Sequence, residues 1–257
     1  MISGIDRYRT FGMRQEWLHL FMQKGEGWAD NSPLGNRQVQ GFRNWLIDAG
    51  LWEQERPTPL GEAVIRQRNP GDHHLWRILW ACLSYGSPLI RWYAYSIPNG
   101  SYTIKDLTEM LALMRGRAGP NRTDVNAISA LTNTLKTTPL GEALGVGRVS
   151  TEGGEKIITK SIAGEKIPPL ALIGAIALYL RSHNLDETSV QSMLWSNPIS
   201  PCRLFQISDA IFPLLCRSSA QAHPEYISIH SITGSEIIRL NDKTTIENIF
   251  LAQYISK

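Results

Sequence analysis

The sequence is poor in cysteine. Among 257 residues only Cys82, Cys202 and Cys216 occur, and no two stand at metal-ligand spacing. Three scattered thiols exclude a disulfide framework and suit a reducing compartment. Long hydrophobic runs are also missing. The longest, 167–180, is interrupted by Pro168, Pro169 and Gly174, so it is too short to span a bilayer and reads as a buried helix. The N-terminal stretch MISGIDRYRTFGMRQEW carries charge where a secretory leader needs an apolar centre. These absences predict a cytoplasmic protein with no membrane partner. A large charge excess is absent as well. With 26 Lys and Arg against 23 Asp and Glu, the net charge of +3 permits nucleic-acid contact but excludes a histone-like binder.

Catalytic signatures are lacking too. The chain has no nucleophile elbow, phosphate loop, metalloprotease helix or dinucleotide fingerprint. Gly145-Val146-Gly147 is a fragment of the last, with no helix signature behind it. No carboxylate pair suited to hydrolysis is evident. His73-His74 follows Asp72 and reads as the start of a helix rather than a metal site, because adjacent histidines point to different sides. No catalytic residue, metal or cofactor is therefore expected.

What is present is ordinary folded-protein composition, 42% hydrophobic and 19% charged, which excludes wholesale disorder. Trp17, Leu20 and Phe21 predict a helix over 11–23, and a glycine-rich loop follows. A second helix is predicted from Gly35 to Ala49, with Val39, Phe42 and Leu46 on one face and Arg37, Gln40, Gly41, Asn44 and Asp48 on the other; Gly50 ends it. Leu51 and Trp52 start a short strand, Pro57 and Pro59 a rigid turn, and Leu60 another helix. That order suits a winged helix-turn-helix. Residues 73–97 hold the densest aromatic cluster and predict a central helical core. Thr103 caps a helix running to Met114, and Thr123 or Asp124 caps one running to about Lys136. Gly153-Gly154 between strand-like stretches predicts a hairpin, and a helix over 168–183 follows. The last third reads as helices over 188–195 and 203–221, then a hairpin of strands near 226–231 and 237–240.

One internal echo stands out. Thr58-Pro59-Leu60-Gly61-Glu62-Ala63 recurs as Thr138-Pro139-Leu140-Gly141-Glu142-Ala143. It marks either a duplicated module or local convergence, since Thr-Pro is a common way to begin a helix.

Two cationic groups are the nucleic-acid candidates. Arg37, Gln40 and Asn44, with Arg43 beside them, form a helix face of the residue types that read base edges; a solvated helix face is the alternative. Arg115, Arg117 and Arg122 sit in a Gly- and Pro-containing loop suited to clamping phosphates, with a plain solvated turn as its alternative. Lys156, Lys160 and Lys166 lie near the predicted hairpin as potential wing contacts. Trp28, Trp52 and Trp92, if exposed together, would instead mark a protein-docking patch.

Several stretches, RTFGMRQEWLHLFM, SPLGNRQVQGFRNWLIDAGLW, PTPLGEAV, HHLWRILWACLS, PCRLFQISDAIFPLL and YISIHSITGSEIIRL, resemble in order a bacterial domain-of-unknown-function family, number 4007. The resemblance spans nearly the whole chain through structural rather than catalytic motifs. Where that family often has an aspartate-rich segment, this chain has Asn69-Pro70-Gly71-Asp72, and no site is carried across it. The resemblance implies a context beside phosphoadenosine-phosphosulfate-reductase-like enzymes, in DNA phosphorothioation or other phage-defence clusters. The sulfur chemistry would belong to the partner, since this chain has no iron–sulfur cysteine set.

The expectation is thus a mainly α fold with small β-hairpins, in multiple winged-helix-like modules around a helical centre, divided as 1–70, 71–184 and 185–257. The expected function is a non-catalytic DNA-binding accessory subunit that presents DNA to, or docks, a sulfur-transfer enzyme. A scaffold without nucleic-acid contact and a winged-helix transcription regulator are the alternatives.

Overall fold

The computed structural model describes residues 4–30, 32–242 and 244–255. Turns over residues 5–10 lead to α1 (Gln15–Lys24), a 3₁₀ turn (Gly25–Ala29) and α2 (Asn36–Asp48). Then come β1 (Trp52–Glu53), β2 (Arg56–Pro57) and α3 (Pro59–Gln67). The turn of this hairpin is Gln54-Glu55, both at positive φ, as a tight two-residue connection requires. Pro57 and Pro59, expected to form that turn, instead lie in β2 and at the first position of α3, where a missing N–H costs nothing.

The middle of the chain comprises α4 (His73–Gly86), α5 (Pro88–Ser96), β3 (Gly100–Thr103), α6 (Ile104–Met114), α7 (Arg122–Thr137), β4 (Arg148–Glu152), β5 (Glu155–Lys160) and α8 (Pro169–Ser182). Short polar side chains begin these helices. Asp72 accepts from the His74 N–H at 2.6 Å, and Thr103 and Asp106 form a reciprocal capping box. At α7 the cap is Asn121, with Asp124 as its box partner, rather than Thr123 or Asp124. The predicted β4–β5 hairpin forms, and β3 joins it antiparallel on the other edge of β5.

The last third comprises β6 (Glu187–Ser189), α9 (Pro201–Leu204), α10 (Phe212–Ala222), β7 (Ile227–Ile232), β8 (Ser235–Leu240) and α11 (Ile246–Ile255). Here the sequence reading needs three corrections. The helix expected over 188–195 is strand β6, paired with β8, and a 3₁₀ turn. The helix expected over 203–221 is two helices, broken where Gln206 takes positive φ. Helix α11 was not anticipated, because IENIFLAQYI is apolar nearly all round and shows no one-sided stripe.

The described residues form a mainly α structure with two small three-stranded antiparallel sheets and one two-stranded hairpin. Helices α4 and α8 form the centre, with Trp76, Trp80, Leu79, Leu172 and Ile176 buried. One hydrophobic cluster crosses both expected divisions: α11, from the last third, packs on α3, α4 and α8. Among the described residues no helix is long and apolar enough to cross a membrane.

Lys160 corrects a site reading. Lys156 and Lys166 are exposed, but Lys160, the last residue of β5, is fully buried. Its ammonium donates to the carbonyls of Tyr93, Ala94 and Ile97 at 3.2, 3.1 and 2.6 Å. It therefore caps the C-terminal end of α5, where a cation is favoured, and locks the β3–β5–β4 sheet to the helical centre. Burial pushes its pKa down to about 7.

Replacing this ammonium with an isosteric apolar chain leaves three buried carbonyls without donors. Lys160→Met should lower stability by about 1–3 kcal/mol in chemical denaturation. A denaturation midpoint equal to wild type would show that the lysine does not hold sheet and helix together.

Candidate nucleic-acid interface

Helix α2 is amphipathic as expected, with Phe42, Trp45 and Leu46 in the core. Its second face is not free. Gly41 and Asp48, expected beside Arg37 on the solvent side, are both buried. The N-terminal segment 5–13 lies against them. The Tyr8 ring stacks on Trp45 with centroids 3.7 Å apart, and the Trp45 indole N–H donates to the Phe11 carbonyl. The Gly41 position lies against the Tyr8 carbonyl and the Phe11 ring. Tyr8 donates its hydroxyl proton to Asp48, and the Arg7 guanidinium lies 3.0 Å from the same carboxylate. Burial nevertheless dominates at Asp48 and raises its carboxyl pKa to about 6.

The predicted reading face divides accordingly. Arg37 and Gln40 are exposed. Asn44 is half-buried and donates to the Arg7 carbonyl at 2.7 Å, so its amide orients the N-terminal segment. Arg43 pairs with Glu55 of the β1–β2 turn. A polar hollow of about 450 Å³ is lined in part by Gln40 and Arg43.

The loop arginines divide too. Arg115 is buried, and its guanidinium pairs with the fully buried Asp124. It ties the end of α6 to the start of α7. Arg117 is half-buried and Arg122 exposed, and neither is in an ion pair among the described residues.

The tertiary structure joins the two groups. The Thr123 hydroxyl reaches Asp6 at 3.5 Å, and the Asn133 amide donates to the Thr10 carbonyl at 2.9 Å. The Met13 N–H donates to the Thr134 hydroxyl. Segment 5–13 therefore runs along α7 on one side and α2 on the other. It brings in the half-buried Arg7 and the exposed Arg9. Helical periodicity does not detect these two, because their segment is extended and turn-like.

The aromatic alternative finds no exposed patch. Trp28, Trp52 and Trp92 are buried at 0%, 4% and 3% exposure. All three cysteines are buried free thiols in packing positions. His74 is buried and stacked on Phe250 of α11.

No protein-family model and no curated protein matches the chain. Two solved structures share its fold. A crystal structure described as magnesium-ion-bound SspB superposes with a TM-score of 0.69 at 18% identity, covering 99% of this chain and 88% of that one. A second SspB crystal structure gives 0.64 at 17% identity, covering 99% and 94%.

The Asp48 carboxyl sets a pH dependence. Its folded pKa of about 6 lies above the ordinary 3.8, so the fold keeps a proton that the unfolded chain has already released. The group favours folding below about 3.8, and that contribution is lost as pH rises through about 6. Thermal melts from pH 4 to 7 should show the wild type losing stability relative to Asp48→Asn as pH increases. Parallel curves would remove Asp48 as the titrating group.

Proposed function

We propose that the chain is a DNA-binding accessory component of a bacterial DNA sulfur-modification or defence system. It shares its fold with SspB, a phosphorothioation-system protein, and this is compatible with an accessory role in such a system. The family-4007 resemblance supports the same context. The partner on this reading is a phosphoadenosine-phosphosulfate-reductase-like or other protein of the system, which carries the sulfur chemistry. The unit from α1 to α3, with hairpin β1–β2, serves as a winged-helix-like module presenting α2.

One observation carries the reading. The N-terminal segment lies between α2 and α7, so the elements that carry Arg37, Gln40, Arg7, Arg9, Arg117 and Arg122 adjoin one another. Cations so grouped neutralise successive phosphates, while Gln40 supplies a base-edge contact. Arg115 and Asn44 support this surface from within and touch no nucleic acid.

Fluorescence anisotropy with duplex DNA over a salt series tests it. The triple variant Arg9→Ala/Arg37→Ala/Arg122→Ala should bind more weakly, and its log–log salt slope should fall by roughly 0.9 for each lost phosphate contact. Equal affinity and equal slope would remove this surface from any DNA interface.

A second reading is favoured by the magnesium ion in one of the compared structures: the chain itself acts on DNA with a divalent cation. Supercoiled plasmid incubated with the protein and magnesium chloride separates the two. Plasmid that stays supercoiled supports the accessory role, and nicked or linear product that EDTA suppresses assigns a reaction to this chain.

A further inference from the structure

The repeated hexapeptide has a structural outcome that the DNA-facing surface does not use. In both copies the threonine follows a basic residue two positions earlier, Arg56 and Lys136. In both, the glycine lets the turn press onto a leucine carbonyl, Leu51 for Gly61 and Leu135 for Gly141, where any Cβ would collide. Only the first copy continues as a helix; the second stays a turn ahead of β4. Each copy walls a cleft. The cleft at Thr58–Leu60 is about 570 Å³ and is lined largely by apolar groups, including Ile47, Leu178 and Ile246. The cleft at Thr138–Pro139 is about 550 Å³ and is polar.

Four elements converge on the polar cleft. Gln15 is the first residue of α1, and His73 the first of α4. Lys136 lies in the last turn of α7, and Arg148 begins β4. Glu142 is the one carboxylate among its lining residues. Lys136 and Arg148 are exposed and in no ion pair among the described residues. The nearby C-terminal carbonyls of α7 are partly quenched: the Thr137 and Thr138 hydroxyls donate to those of Asn133 and Thr134. No side chain caps α1, so the positive end of that helix adds to the cations around Gln15. Two exposed cations against one carboxylate leave the cleft cationic, with an ammonium and a guanidinium, the pair suited to phosphate oxygens.

The position of the cleft also fits. Arg122 begins α7 and Lys136 nearly ends it. The helix has 16 residues, so it spans about 24 Å. That is roughly seven nucleotide steps along a strand. Segment 5–13, with Arg9, runs beside α7 between these ends.

We propose that this cleft binds a phosphate group through Lys136 and Arg148, with the Gln15 amide as a neutral donor and Glu142 weakening the site. The phosphate is supplied by a nucleic-acid backbone that has crossed α7 or by a free nucleotide. The first source rests on the DNA-binding reading, and the second is independent of it.

The full-length protein is tested as wild type, Lys136→Ala/Arg148→Ala and Glu142→Gln, with circular dichroism confirming the fold of each. The probes are a fluorescent duplex in anisotropy, and ADP or inorganic phosphate in thermal-shift titration. If the backbone is the source, the double variant loses affinity for the duplex, its salt slope falls by about 1.8, and Glu142→Gln binds more tightly. If a free nucleotide is the source, duplex binding is unchanged while the ADP-induced shift disappears in the double variant and grows in Glu142→Gln. Wild type that ignores duplex but binds ADP or phosphate through these two residues upholds the cleft while removing the DNA reading. Duplex binding indifferent to all three substitutions, together with no Lys136- and Arg148-dependent shift from ADP or phosphate, overturns the cleft proposal and leaves the DNA reading standing.

Discussion

The N-terminal segment 5–13, held between α2 and α7, is the constraint on which the rest of the surface depends. It stacks Tyr8 on Trp45, places Arg7 and Tyr8 on the buried Asp48, and hands its carbonyls to Asn44, Trp45 and Asn133. A buried carboxylate is costly unless partnered, so Asp48 fixes where this segment must lie. Gly86, at the end of α4, meets the Asp48 backbone so closely that any Cβ there would strike its carbonyl. One residue thus connects the N-terminal segment, α2 and the central helices.

The same economy of polar groups runs through the centre. Lys160 serves as the C-terminal cap of α5 while ending β5, so one side chain joins sheet and helix. Arg115 and Asp124 join α6 to α7 in the same way. In each case a charge that a linear reading assigns to solvent is consumed inside, because a neighbouring element brings the complementary group. Among the cations left outside, Arg9, Arg37, Arg122, Lys136 and Arg148 lie on α2, on segment 5–13, and on α7 and the strand β4 that follows it.

Much of the architecture was legible beforehand. Amphipathic periodicity marked α2, and the dense aromatics marked α4 and α5. The Thr103 cap marked α6, and the paired glycines marked the β4–β5 hairpin. Legibility failed where local pattern and tertiary context part. Residues 188–195 carry no β signature strong enough to reveal β6, which exists because β8 offers it an edge. Helix α11 is apolar nearly all round because it is inserted among α3, α4 and α8. The candidate surface was half legible: Arg37, Gln40 and Arg122 stay exposed, while Arg43, Asn44 and Arg115 acquire partners within the fold.

The sequence by itself determined the mainly helical class, most helix starts and two hairpins, because caps, turn glycines and periodicity act over a few residues. Only the tertiary structure decided which arginines and lysines face solvent. Desolvating a charge depends on what the fold stacks against it, and for Asp48, Lys160 and Arg115 those groups come from other elements of the fold. The twin hexapeptides show the same division: identical residues press a glycine onto a leucine carbonyl in both places, and their unlike neighbours make one a helix beside an apolar cleft and the other a turn beside a polar one.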